Sequence, residues 1–267
     1  MELTLGKEQI YTSKRMLKYP ALGKLFSHVF GYTNIGNYAR FSIFKNLVKS
    51  LPVHQFKRVM DLGCGYGEYA IGLAKSYPNL KVHALDIDEK RIDTVEYAVR
   101  KAQLTNITTH TSKIQNNQEG NFDLIYSVDV FEHILPEEMP FNSCFGRLRP
   151  GGYLLVKIPN IEQKTIFPSR LFEEHQTWLD DEHVGQVYDL QGLENRFLDA
   201  GFEIQHASYS DGYLSRLAWE IAYLGKKMGI IGQALTIHLS KSLIYLDRKF
   251  HNGKWGNAIQ VLGKKPD

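Results

Sequence analysis

Between Asp61 and Gly67 the chain reads Asp-Leu-Gly-Cys-Gly-Tyr-Gly, an acid followed by three alternating glycines. An apolar run leads into this stretch, and a helical pattern follows it. Glycine lets backbone approach a ligand where a Cβ would intrude. Amide groups at a helix start favour a carboxylate or phosphate. In an open α/β sheet such a loop lies beyond the carboxyl end of a strand, where ligands bind. Asp86 ends the next apolar run, and a carboxylate there can accept hydrogen bonds from both hydroxyls of a ribose. These features point to a nucleoside-bearing ligand. A dinucleotide fingerprint needs Gly-x-Gly-x-x-Gly, and counted from Gly63 its third glycine falls on Glu68, which disfavours a nicotinamide dehydrogenase.

The elements that must position these residues alternate along the middle of the chain. Strands are expected at 56–62, 81–87, 106–111, 122–128 and 153–159, with helices at 67–77, 89–103 and 139–148. Arg149-Pro-Gly-Gly152 reads as a turn before the fifth strand. Two last strands are expected at 201–210 and 257–265. Such alternation predicts a parallel sheet covered on both faces. The fold expected is Rossmann-like α/β, seven strands, mostly parallel. Residues 1–50 read as a helical cap, and 51–267 as the body, with a helical insertion at 213–250. In that insertion Leu214, Leu217, Ile221 and Leu224 share one helical face. Leu235, Leu239, Leu243 and Leu246 mark a second helix, after the breakers Gly225, Gly229 and Gly232.

The acid-x-Gly-x-Gly-x-Gly pattern resembles that of class I S-adenosylmethionine-dependent methyltransferases of the small-molecule branch. The resemblance extends through FDLIYSVDVFEHI (122–134), LRPGGYLLVKIPN (148–160) and DEHV…LENRFLDAGFEI (181–204), covering most of residues 55–210 in the family's order. It implies a methyltransferase with S-adenosylmethionine as cofactor and S-adenosylhomocysteine as product. By position it implies that Gly63, Gly65 and Gly67 lie against the methionine part, with Asp61 near its amino group. Asp86 would hold the ribose, Ile87 would flank the adenine, and the Ser127 carbonyl would meet the amino group. Asp129 and His133 would lie near the methyl-transfer cleft. The acid that the family often places after strand three is missing from HTSKIQNN (110–117), leaving Thr111, Ser112 or a backbone group to meet the adenine amine.

Methyl transfer from a sulfonium is a displacement in which the protein mainly aligns the partners. A hydroxyl acceptor also gains from a base. His183, His133 and His175 are the candidates, His183 first. The caps should choose the acceptor. Tyr38 and Arg40 from the first, and Tyr213 and Arg216 from the second, are candidate substrate contacts, with the alternative that these aromatics are simply core. The acidic stretch 170–189 shows no metal-ligand spacing, and no metal is expected.

The 267 residues carry a net charge of +3, unevenly spread. Residues 1–50 hold eight Lys/Arg against two acids, and 213–267 hold nine against three, while 51–212 hold 15 against 24. Basic, aromatic-rich ends suit an apolar or anionic small-molecule acceptor, or a peripheral membrane contact through the second inserted helix. Solvated helix faces are the plainer explanation. RNA methylation is the alternative enzyme reading, and a non-catalytic partner subunit of the same fold is the non-enzyme one. SVDVF (127–131) lacks the Asn/Asp-Pro-Pro-aromatic pattern of amine-modifying nucleic-acid enzymes, and nothing points to DNA. Two cysteines without spacing and an N-terminus without a signal pattern suggest the cytoplasm. The acceptor and the oligomeric state are left open.

Overall fold

Parallel strands buried on both faces need nearly continuous apolar runs, and the central strands have them. A computed structural model describes residues 29–31, 34–174 and 188–267. His175 and His183 lie outside the described residues. The order begins with α1 (Ile35–Lys49), β1 (Arg58–Leu62), α2 (Glu68–Ser76), β2 (Lys81–Asp86) and α3 (Glu89–Lys101). It continues with β3 (Ile107–Thr111), β4 (Phe122–Val128), α4 (Phe141–Arg147), β5 (Leu148–Pro159) and α5 (Leu190–Asp199). It ends with β6 (Glu203–Ser210), α6 (Tyr213–Lys227), α7 (Gly229–Phe250) and β7 (Ala258–Lys264).

The seven strands form one sheet in the order β3-β2-β1-β4-β5-β7-β6. All pairings are parallel except those of β7, which runs antiparallel to β5 and β6. The chain reverses its direction of winding between β1 and β4, and that switch point is where such sheets bind ligands. Alternate residues of each strand enter opposite layers. Val59, Leu124 and Leu155 pack on one side with Phe44, Leu73 and Val82. Met60, Ile125, Leu154 and Val156 pack on the other with Phe141, Phe197 and Phe202. Helix α1 joins the first layer through Phe41, Phe44, Leu47 and Val48. Through Ile35 and Ala39 it also meets Ala218 of α6 and Ile237 and Ile244 of α7. It therefore sits between the sheet and the α6–α7 hairpin.

The expected Arg-Pro-Gly-Gly turn is instead part of β5. The register on β4 jumps from Phe122↔Leu148 to Leu124↔Tyr153, so residues 149–152 bulge out of a longer strand. Arg149 pins the bulge by donating to Asp123 at 2.6 Å. The hairpin also differs from expectation. Gly229, with φ +83°, is where the helices part, but Gly225 and Gly232 lie within α6 and α7. They are small because the helices touch there. A Cβ on Gly232 would lie 2.5 Å from the Gly225 carbonyl oxygen, and one on Gly225 would lie 2.8 Å from that of Gly232. The leucine stripe of α7 is not the packed face either. Gly232, Ile237, Ser240, Ile244 and Asp247 face inward, whereas Leu235 and Leu239 are exposed. Among the described residues no helix is long and apolar enough to cross a membrane.

Gly232→Val is expected to force the two helices apart. Overpacking of this kind costs roughly 1–3 kcal/mol, so denaturant unfolding should show a loss of that size. An unchanged midpoint would mean the contact is loose.

Candidate functional site

A cavity of about 890 Å³ opens beyond the carboxyl ends of β1, β2, β4 and β5. It falls in the roughly 300–1,000 Å³ range of small-molecule sites. Its first half is built by the glycine loop and the end of β2. The three glycines do different work there. A Cβ on Gly63 would strike Val130 at 2.4 Å, so the fold itself needs that glycine bare, and it also lines the cavity. Gly67 begins α2 and lies against Val95, outside the cavity. Gly65, with φ +54°, has open space where a Cβ would stand, and it lines the cavity.

Asp86 is 6% exposed. One of its oxygens accepts from the Gly65 amide at 2.8 Å and the other from the Asp88 amide at 3.0 Å. Each oxygen keeps a lone pair for a ligand hydroxyl. Beside it Ile87 lines the cavity and is 70% exposed, a bare apolar surface among the described residues. Ser112, Lys113, Ile114 and Gln115 line the same end, while Thr111 does not. Asp61 is buried behind the loop and accepts from the Ala70 amide at 3.1 Å. There it ties β1 to α2, and burial pushes its carboxyl up to about 8. Ser127 is also buried, its hydroxyl donating to the Leu62 carbonyl at 2.9 Å. Neither lines the cavity; Val128 and Asp129 do.

The second half has a charged floor. Lys157, 5% exposed, donates to Asp129 at 3.0 Å and pairs with Asp211 at 3.4 Å. Arg40 of α1 pairs with the other oxygen of Asp129 and donates to Asn37 at 3.0 Å. Burial alone would raise the Asp129 carboxyl, but Lys157 and Arg40 outweigh it and hold the group below its ordinary value. Burial would likewise lower the Lys157 amine, yet Asp129 and Asp211 keep it high. Arg216 lines the cavity over the Trp219 ring at 4.6 Å, and its charge is met by the buried Glu220 at 2.6 Å. Both arginines expected to reach an anionic acceptor are thus already paired. Tyr38 and Tyr213 lie off the cavity lining. Lys241 sits over the Tyr38 ring at 5.2 Å, and Tyr213 stacks on Trp255 at 4.7 Å.

Glu132 is a residue that the sequence reading passed over. It sits in the single turn Phe131–His133 after β4, 1% exposed, lining the cavity. Its Oε2 is buried without a hydrogen-bond partner. Burial, with Asp129 nearby, pushes its carboxyl up to about 8. His133, next in the turn, is exposed at the cavity's rim. The available signal was a carboxylate directly after the apolar Val130-Phe131, where a charge needs a reason. Lys157, set between Val156 and Ile158, carried the same signal. Elsewhere among the described residues His83, His110 and Glu119 lie within 4.8 Å of one another. Arg58 already contacts His83 and Glu119, and none of the three lines the cavity.

A family model described as a methyltransferase domain matches residues 36–207 of this chain. The chain belongs to the methyltransferase-domain family. A phosphoethanolamine N-methyltransferase of Triticum aestivum is 31% identical over 152 residues, covering 52% of this chain and 28% of that protein. A trans-aconitate 2-methyltransferase of Deinococcus radiodurans is 31% identical over 121 residues, covering 45% of each. The chain thus spans under half the length of these curated relatives. Among solved structures, a phosphoethanolamine N-methyltransferase 2 of Haemonchus contortus in complex with S-adenosylmethionine superposes with a TM-score of 0.60. It is 20% identical, over 91% of this chain and 59% of that one, a likeness of fold. At one end of the cavity the chain places open space at Gly65, two part-occupied acceptor oxygens on Asp86 and the bare apolar side chain of Ile87.

The two raised carboxyls set a pH dependence. Folded Asp61 and Glu132 hold protons up to about pH 8 that the unfolded chain releases near its ordinary carboxylate values. Stability from this source is present below those values and lost as pH rises toward 8. The lowered Asp129 acts oppositely, and only on further acidification. The lowered His83 and His110 oppose this slope only below about pH 6.5, so the melting temperature should fall from there toward pH 8, and Glu132→Gln should flatten that slope. A variant with the parent's slope would mean Glu132 titrates normally.

Proposed function

We propose that the methyltransferase moves a methyl group from S-adenosylmethionine to an oxygen of a small, apolar or amphiphilic acceptor, a hydroxyl before a carboxyl. The observation that carries the reading is the buried Glu132 carboxyl on the cavity floor, whose Oε2 has no hydrogen-bond partner among the described residues. The named acceptors of both curated relatives are small molecules, which supports that class. When bound, S-adenosylmethionine supplies a methyl group already activated on a sulfonium. Asp86 accepts from the ribose hydroxyls, Ile87 covers one face of the adenine, and the Gly65 backbone leaves room beside them. The Asp129, Lys157 and Asp211 cluster fixes the floor on which the acceptor lies.

The charges favour a neutral acceptor. Among the described residues that line the cavity, Arg40 and Lys157 are matched by Asp129 and Asp211, Arg216 by Glu220, Arg91 by Asp88 and Lys113 by Glu138, an arrangement that favours no carboxylate or phosphate. A hydroxyl must lose its proton as its oxygen attacks. Glu132 takes that proton, and its raised carboxyl suits the task because a base works best near the operating pH. His133, exposed beside it, passes the proton to solvent. Trp219 and the aliphatic part of Arg216 give the acceptor an apolar wall.

The deciding experiment is a calorimetric titration with S-adenosylmethionine and S-adenosylhomocysteine, with NADH as control, then a screen of amphiphilic hydroxyl compounds using labelled methyl donor. Binding of the first two alone is expected, and NADH binding in their place would overturn the reading. Asp86→Asn should weaken cofactor binding roughly ten- to a hundredfold, the worth of a hydrogen bond to a charged group. With an acceptor in hand, Glu132→Gln should lower turnover by roughly 10²–10⁴-fold with cofactor affinity unchanged, and abolish a rise in rate toward pH 8. A larger loss from His183→Ala than from Glu132→Gln would move the base to His183.

A further inference from the structure

Helix α7 is apolar on two sides, and among the described residues only one of them is packed. Ile237 and Ile244 pack inward against α1 and α6. On the opposite side Ile231, Leu235, Leu239, Leu246 and Phe250 follow at spacings of four, four, seven and four, one stripe along 22 residues. Their exposures are 76, 73, 51, 38 and 67%. Met228 and Ile230, 76 and 62% exposed, extend the stripe over the hairpin tip. At about 1.5 Å per residue the helix is roughly 33 Å long. An apolar face of this length on an otherwise ordinary surface marks a partner.

The charges around the stripe say which partner. Residues 213–250 hold six Lys/Arg and two acids. Both acids are buried. Glu220 faces Arg216 and the backbone amides of Ile166 and Phe167. Asp247 accepts from the Gly212 and Leu214 amides and the Ser215 hydroxyl. The exposed surface of the hairpin therefore carries Lys226, Lys227 and Lys249 and no carboxylate of its own, with Glu174 reaching Lys227 from outside. A second copy docked on the same stripe would bring cations against cations. Residues 1–28, with five Lys/Arg against two acids, would do the same. An anionic phospholipid surface complements both the apolar stripe and its basic edges.

We propose that the outer face of α7 seats the protein on an anionic bilayer, lying in the interface with the stripe among the acyl chains. The partner helix α6 contributes Ser215, Arg216 and Trp219 to the cavity, so the seated hairpin would stand between cavity and lipid. Vesicle binding involves no methyl transfer, and its failure would leave the reading of the cavity untouched.

The test is co-sedimentation of the full chain with vesicles of phosphatidylcholine alone and of phosphatidylcholine with phosphatidylglycerol in a two-to-one mixture. Binding to the anionic vesicles is expected, weakening as salt is raised. Leu235→Glu with Leu239→Glu should lower it roughly tenfold or more. Lys226→Glu with Lys249→Glu should remove the preference for anionic lipid. All four positions are exposed, and an unchanged thermal melt would show that the variants fold. Equal binding to both vesicle types, or binding untouched by the two glutamates, would overturn the proposal. So would a concentration-dependent dimer, read by sedimentation, that the Leu235→Glu and Leu239→Glu pair dissolves.

Discussion

A buried ammonium group holds the two halves of this molecule in register. Lys157 stands near the end of a central strand, 5% exposed, with carboxylates at 3.0 and 3.4 Å. A lone ammonium in that position would be prohibitively desolvated, and taking away one partner of such a pair costs roughly 3–5 kcal/mol. The two carboxylates arrive from different places. Asp129 follows β4 and Asp211 follows β6, so one amine joins the centre of the sheet to the root of the α6–α7 hairpin. Arg40 then brings α1 to the same Asp129. The first helix α1, the ends of β4 and β5 and the turn after β6 meet at this cluster in the charged half of the cavity.

Both aspartates have positive φ, +53° each, in a region that side chains seldom enter. Asp tolerates it better than most residues, but the conformation still carries strain. The amide of Asp129 donates to the Lys157 carbonyl at 2.8 Å, so backbone and side chain of one lysine hold the same turn. The sharp exit from β4 aims Val130 over Gly63 and places Glu132 under the cavity. The shape of the glycine loop and the placement of the candidate base thus follow from one turn.

The central strands and helices were legible because each obeys a single local rule. β4 is a nearly continuous apolar run, and Asp88 caps α3 by accepting from the Lys90 and Arg91 amides. The glycine-loop half of the cavity was legible for the same reason, since Gly65 and Asp86 lie within one strand-loop-helix-strand unit. The charged half was not, because its parts are far apart in sequence. Arg40, Asp129, Lys157 and Asp211 meet only through the fold. The leucines rightly marked α7 as a helix, but its buried face was hidden for a related reason. Periodicity finds an apolar face but cannot say whether protein covers it, and here the inward face is marked by Gly232, Ser240 and Asp247 instead.

This division has a consequence for how acceptor choice can change. The glycine-loop half of the cavity is set by backbone geometry inside the sheet, where Val130 and Val95 already crowd the loop. The charged half is set by two caps that touch each other through a small separate cluster, Ile35, Ala39, Ala218, Ile237 and Ile244. Arg248 adds a bond from α7 to the Ala39 carbonyl at 2.7 Å. Substitutions at Trp219 or Arg216 can therefore reshape the acceptor wall without disturbing Asp86 or Gly65. Substitutions at Asp129 or Lys157 cannot, because they act on the floor, the cap and the glycine loop together. Specificity is free to drift in the caps, while the shared floor must stay as it is.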